Sequence, residues 1–214
     1  MFFSSCSGDN PASSDASVAG LTATNLRGGA TQSGTTIICY EIFGFVVNQS
    51  SEAKEYIKVR VDCKNASGQV LLPDEAIVPK LVPGEKYPMW IYRGSDSDKE
   101  ILKDFTQYTI TFVSASKDLG RTTTNFYFNV IQFYSVGSIT RVSGKLVNNS
   151  PNKSKNMTIM AGSLSAKGDC VQYGIDILSG EILNPGQSTT FDFPLGIPID
   201  TPVSTIFYCY GEIN

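Results

Sequence analysis

The stretch FGFVVNQS at 43–50 returns as SGKLVNNS at 143–150, and the correspondence continues beyond it. At an offset of 100 residues, Gly44, Val47, Asn48 and Ser50 fall on Gly144, Val147, Asn148 and Ser150. Ile57 and Val59 fall on Met157 and Ile159, and Ala66 and Gly68 on Ala166 and Gly168. After a two-residue insertion, Leu81, Pro83 and Gly84 fall on Leu183, Pro185 and Gly186. Such self-similarity reads as an internal duplication, so whatever one unit folds into, the chain must build twice and then join.

Each unit carries the period of strands. A strand (36–47; 138–147) runs into a polar turn. A second strand alternates, with Ile57, Val59 and Val61 on one face and Lys58 and Arg60 on the other. An Ala-x-Gly turn follows, then an extended segment, then Pro-Gly at the centre of a tight turn. Met89 and Ile91 match Phe191 and Phe193, which marks them as inward-facing. Last strands are expected at 107–113 and 204–210. The best helical candidate is 97–105, an insertion peculiar to the first unit. The apolar stretch 122–135 is expected partly to close the first unit through a hairpin at 116–121 and partly to open the second.

The expected fold class is therefore all-β: two tandem immunoglobulin-like β-sandwich domains formed by internal duplication. The expected domains are 1–35, a flexible Ser/Gly/Asn tether, then 36–128 and 129–214, one sandwich each. The GxVxN phrase, the alternating strand, the glycine turn and LxPGxxxxF resemble the small immunoglobulin-like modules of the FxLYD type found on bacterial surface lipoproteins. The resemblance covers roughly 36–115 and 136–214, and it implies a binding or spacer module with no catalytic residues to transfer.

The N-terminus agrees with that setting. Phe2-Phe3-Ser4-Ser5-Cys6 resembles the end of a bacterial lipoprotein signal peptide, where the cysteine is lipidated, and residues 7–35 have little to bury. Cys6 is thus the expected lipidation site, and the expected location is the bacterial cell envelope, at the outer membrane or cell surface. The membrane would be reached through the lipid anchor alone. Four further cysteines lie in the folded part: Cys39, Cys63, Cys170 and Cys209. A hairpin turning symmetrically about Ser51 would set Cys39 opposite Cys63, and one disulfide per unit is the expectation. Four cysteines allow three connectivities, and buried free thiols are the alternative.

Several function classes lose their usual chemistry. The chain has no histidine, which removes the commonest general base and every His-based metal site. Its net charge is −3, with no Lys/Arg cluster to engage a phosphate backbone, so no nucleic acid is expected as partner. No cofactor and no metal are expected. Asp96, Asp98 and Glu100 alternate as in a calcium loop but lack its glycine and distant glutamate, and read as a solvated acidic turn. Three S-x-x-K runs, at 51–54, 114–117 and 150–153, fall in expected turns. Asn48, Asn65, Asn148 and Asn156 each open an N-x-S/T sequon, a sequence that turn composition also produces. A glycosidase would need two facing carboxylates; Glu41 is the one acid within the expected first strand and has no evident mate.

Trp90, the only tryptophan, alternates with Met89 and Ile91. It should face away from the core beside Tyr92, either as a binding platform or packed against Tyr87, the 97–105 insertion or the other unit. Two readings follow. The first is a non-enzymatic envelope lipoprotein that binds or spaces a surface protein partner. The second is a carbohydrate-binding module that offers Trp90 and Tyr92 to a glycan.

Overall fold

A computed structural model describes residues 16–33, 36–198 and 200–213. The first unit comprises β1 (Leu21–Ser33), β2 (Thr36–Asn48), β3 (Lys54–Lys64), β4 (Val70–Leu81), β5 (Lys86–Arg93), α1 (Asp96–Ile101) and β6 (Gln107–Lys117). The second comprises β7 (Thr122–Thr123), β8 (Phe126–Val136), β9 (Ile139–Asn148), β10 (Ser154–Ser165), β11 (Cys170–Leu183), β12 (Ser188–Pro194) and β13 (Pro202–Ile213). All pairings are antiparallel. The sheets are β1-β2-β5 and β4-β3-β6 in the first unit, and β8-β9-β12 and β11-β10-β13-β7 in the second. The fold is all-β and sandwich-type, as the strand periodicity requires.

The same strand order occurs in both halves, down to its irregularities. β1 bulges between Thr24 and Arg27, and β8 between Asn129 and Gln132. β3 and β10 are irregular around Tyr56 and Asn156, which both have positive φ. The repeated glycine explains itself at the first bulge. A Cβ on Gly44 would lie 3.2 Å from the carbonyl oxygen of Thr24, and one on Gly144 would lie 3.1 Å from that of Asn129. The bulge bends the edge strand over the centre of its neighbour, and a side chain there would push it off.

The repeated asparagine is a buried clamp. Asn48 is 0% exposed; its Nδ2 donates to the carbonyls of Glu52 at 2.8 Å and Leu81 at 3.0 Å, and its Oδ1 accepts from the Ser50 amide and hydroxyl. Its backbone carbonyl accepts from the Gly84 amide at 2.7 Å. Asn148 repeats every bond with Asn152, Leu183, Ser150 and Gly186. One side chain thus ties the end of the first central strand to the following turn, to the end of β4 or β11, and to the Pro-Gly turn. Neither amide can carry a glycan, whereas Asn156 is exposed and Asn65 half-buried.

Each sandwich has its own interior, but the two are joined by a shared one. Met160, Cys170, Tyr173 and Tyr208 of the second unit belong to the core that contains Ile42, Phe45, Val59, Met89 and Ile110 of the first. Phe45 points outward from β2 and places its ring where a Cβ on Gly162 of β10 would be, 2.8 Å away. Tyr87 meets Tyr208 edge-on, with centroids 5.1 Å apart. The Asn25 side chain donates to the Gly168 carbonyl at 2.6 Å.

Four sequence expectations change. Residues 21–33 are not tether: they form β1, paired with β2 along its length. Their small side chains permit close approach, since a Cβ on Gly28 would lie 2.9 Å from the Tyr108 ring. The boundary at 128/129 moves back, because β7 pairs with β13 and β8 with β9, so 122–135 belongs wholly to the second unit. The β2–β3 hairpin does not form, because the chain crosses between sheets there. Cys39 and Cys63 consequently lie in opposite sheets, and both are free. Cys170 and Cys209 flank β10, but they pair with Leu164 and Ile159 respectively, about 17 Å apart along the strand; both are free. Burial pushes the thiols of Cys63 and Cys170 up to about 12, so they behave as small apolar core groups. Cys6 lies outside the described residues. The helical insertion is present as α1, capped by Ser95, whose side chain accepts from the Asp98 amide. Asp96 pairs with Lys99 and Glu100 with Lys103, each three residues on.

The clamp makes a quantitative expectation. Asn148→Ala strands several buried backbone groups at once and should cost about 2–4 kcal/mol of stability. Urea unfolding of that variant checks it, with Asn149→Ala, at an exposed residue, as the mild control.

Candidate functional site

The outer face of the sheet β1-β2-β5 does not meet the second unit along its whole width. Where the surfaces part, they leave a cleft of about 250 Å³. Glu41, Phe43 and Trp90 line one wall. Tyr173, Gly174 and Ile175 of β11, with Pro194 at the end of β12 and 195–197 of the connection after it, line the other.

Strand alternation puts these side chains there. On β2, residues 41, 43 and 45 point away from the first core, and β5 sets Trp90 opposite Phe43 and Tyr92 opposite Glu41. The Trp90 indole lies nearly parallel to the Phe43 ring (11°, centroids 6.5 Å). It sits 5.5 Å from Tyr92 and 5.2 Å from Tyr173 across the cleft. Its Nε1–H donates to Glu41 Oε1 at 3.2 Å, and the Thr31 hydroxyl donates to Glu41 Oε2 at 2.7 Å. The indole is thus held in place by a carboxylate that is itself held. It remains 39% exposed, and Tyr92 47%. Ile175 and Ile197 are exposed at the mouth. The far wall is fastened by Gly196 N–H to the Tyr173 carbonyl and by Gln172 Nε2 to the Gly196 carbonyl. Chemically, this is a rigid apolar slot with one acceptor-bearing corner, suited to stacking a flat or ring-shaped group.

The sequence reading places Trp90 and Tyr92 correctly on the outward face, and they are brought together. It misses the opposite wall, Tyr173 and Leu195 above all. The signal was present in β2, where ICYEIFGFVV is almost unbroken apolar sequence. A strand with one wet face would alternate; this one has two faces to cover. Glu41, read as an acid without a mate, has no carboxylate facing it in the cleft and serves as the anchor of Trp90. Among the described residues, no cluster of three or more cysteines and acids is placed to hold a metal.

A second, buried polar cluster lies at the other edge of the junction. Lys80 Nζ reaches Asp118 Oδ2 at 2.8 Å, the Thr122 carbonyl at 2.9 Å and Glu55 Oε1 at 3.6 Å. Glu55 also accepts from the Thr122 hydroxyl and the Leu119 amide. Burial pushes the Asp118 carboxyl up, but hydrogen bonds from Lys80 and the Gly120 amide outweigh it and hold the group below its usual value. Beside this cluster, Glu85 accepts from the Val82 amide at 3.0 Å, just as Gln187 accepts from Asn184 in the second unit. Glu85 is half-buried at the junction, and burial pushes its carboxyl up to about 7 despite bonds from Val82 and Thr124 and the nearby Lys80 charge.

No known family model matches the chain, and no curated protein does. Among solved structures, one similar in part is the crystal structure of red sea bream transglutaminase, at 10% identity and a TM-score of 0.25. It covers 86% of this chain, which spans 29% of that one. No helix among the described residues is long and apolar enough to cross a membrane.

Glu85 makes the junction pH-dependent in a stated direction. Its folded value lies above the ordinary 4.5. Between that value and about 7 the folded state holds a proton that the unfolded chain releases, and stability falls as pH rises through this window. Glu85→Gln, which installs the residue of the second unit, should leave stability at pH 4.5 unchanged and raise it at pH 8 by about 1–3 kcal/mol. Denaturant melts of both proteins at the two pH values check this.

Proposed function

We propose that the protein is a non-enzymatic binding or spacer protein of the bacterial cell envelope, carried on a lipid at Cys6. In this reading its two immunoglobulin-like units, related by duplication, act as one rigid body toward a surface partner. The observation that carries the reading is the shared core. Two sandwiches that bury tyrosines, a methionine and a phenylalanine against each other cannot swing independently, so they hold the cleft at one width. Binding at a pre-shaped slot avoids the entropic cost of closing it. The envelope setting rests on the Phe-Phe-Ser-Ser-Cys run, since 21–33 of the expected tether form β1. Intact mass of the protein from its native cell tests it. A diacyl or triacyl adduct on Cys6 with four free thiols is expected; an unlipidated chain removes the anchor and the envelope placement with it.

A second reading, favoured by the partial exposure of Trp90, is that the cleft binds a glycan through Trp90 and Tyr92. Because Trp90 is the only tryptophan, its emission reports on this site alone. Titration with soluble cell-wall glycan fragments should shift and saturate that emission, and Tyr92→Ala should weaken the response about tenfold. Emission that stays constant across the titration leaves Trp90 as packing between the units.

A further inference from the structure

The two sandwiches differ at the end where the third strand finishes. In the first unit that end is sealed. Tyr40, Cys63 and Tyr108 are buried there, with Leu72 packed beside them. The connection 94–106 folds over them, burying Leu102 completely and setting Phe105 edge-on to Tyr40, with centroids 5.7 Å apart. The strand registers give the matching positions of the second unit. Cys63 pairs with Leu72 and Tyr108; Ser163 pairs with Gln172 and Thr205. Thr140 stands where Tyr40 does.

All four apolar positions have therefore become small or polar, and the connection that would cover them is the shorter 195–201. Among the described residues, none from that connection enters the space. What remains is a pocket of about 320 Å³, lined by Thr140, Ser163, Gln172, Ser204 and Thr205, with Phe133 as one wall and 202–203 at the rim. The Ser163 and Thr205 hydroxyls lie 3.0 Å apart and share a hydrogen bond. The Gln172 amide is fixed by its bond to the Gly196 carbonyl at 2.7 Å. Ser163 and Gln172 are each 1% exposed and form the floor, while the accessible lining is carried by Phe133, Thr140, Ser204 and Thr205. The Phe133 ring is half exposed and is backed by Phe207, with centroids 6.4 Å apart.

We infer that this open end of the second sandwich is a binding pocket for a neutral, hydroxyl-rich ring, such as a single sugar residue. Its lining carries no charge, which disfavours ions. Its hydroxyls both donate and accept, which suits a ligand whose own groups do both. One phenyl face is offered to the C–H face of a ring. The volume is at the low end of small-molecule sites, about 300–1,000 Å³, and so takes one ring rather than a chain. The pocket shares no lining residue with the Trp90 cleft, and the inference holds whether or not that cleft binds anything.

Amide chemical-shift titrations of the full chain with methyl glycosides of glucose, galactose and N-acetylglucosamine test it, with methyl glucuronide as the charged comparison. At least one neutral glycoside should give saturable shifts at Thr140, Ser163, Gln172 and Thr205, with a Kd of about 1–10 mM. The glucuronide should bind at least about tenfold more weakly. Thr205→Val, which exchanges a hydroxyl for a methyl of the same shape, should weaken binding about tenfold, and so should Thr140→Val by the same exchange on another wall. Unchanged Trp90 emission in both variants shows that the junction is intact. Saturable shifts confined to the Trp90 cleft, equal binding of the charged and neutral glycosides, affinity untouched by both substitutions, or no saturable shift with any glycoside would each overturn the inference.

Discussion

Burying both faces of β2 and of β10 presses the two sandwiches together. Each is the central strand of its sheet, flanked on both sides, and each is covered within its own unit on one face alone. Residues 43 and 45 on β2, and 160 and 162 on β10, then have nowhere to go but toward each other. Covering an aromatic side chain stabilises by about 1.5–3 kcal/mol, and several such groups contribute at this junction. The cost is that small residues must stand where large ones arrive, as Gly162 does beneath Phe45. The cleft is the region where this contact runs out, so its position and width are by-products of the packing that joins the units.

Where the repeat keeps its residues and where it changes them follows from what each position faces. The clamp of Asn48 and Asn148 and the bulge glycines Gly44 and Gly144 face only their own unit, and they are the same. Outer-face positions differ according to whether the other unit covers them. Trp90 and Glu41 of the first unit correspond to Asp192 and Arg141 of the second. The latter face solvent and form an ion pair at 2.8 Å, joined by the Tyr134 hydroxyl. Met160 and Gly162, covered by the first unit, correspond to Arg60 and Asp62, which pair with each other in water at 2.8 Å. Exposed pairs of this kind add about 0–1 kcal/mol each. Their main effect is to keep these outer faces compatible with water.

The fold class was legible because its signals are local. Alternation in IKVRV, the Pro-Gly turns and the asparagine phrase each report on a few neighbouring residues, and all describe strands and turns. The sheet partners were less so. Two strands joined by a seven-residue polar turn look like a hairpin, and nothing in 48–54 says that the chain crosses to the opposite sheet. That one choice determines whether Cys39 can meet Cys63. The first strand was missed for a related reason: Ser, Gly, Ala and Thr are the composition of a tether, and they are also what an edge strand needs where Tyr108 lies against Gly28. Of the candidate site, the Trp90 face was readable from alternation within β5. Its opposite wall comes from residues more than 80 positions away and depends on how the units are packed, a relation that no local pattern carries.

The polar cluster at the junction is better understood through geometry than through stability. Desolvating Lys80 with Glu55 and Asp118 costs much of what their attraction returns, and apolar residues of the same volume would hold the units together at least as well. Apolar contacts, however, are tolerant of sliding. Lys80 must meet Asp118, the Thr122 carbonyl and Glu55 together, while Tyr208 donates to the Lys80 carbonyl from the other unit at 2.5 Å. A rotation of either sandwich would break several of these bonds around the buried Lys80 and Glu55, leaving those charges unpaired at several kcal/mol. The cluster therefore selects one orientation among the many that hydrophobic burial would accept. It does so directly at the segment 118–122 that links the units, on the side of the junction opposite the Trp90 cleft. The slot on one side keeps its shape because the other side is fastened by bonds with a defined direction.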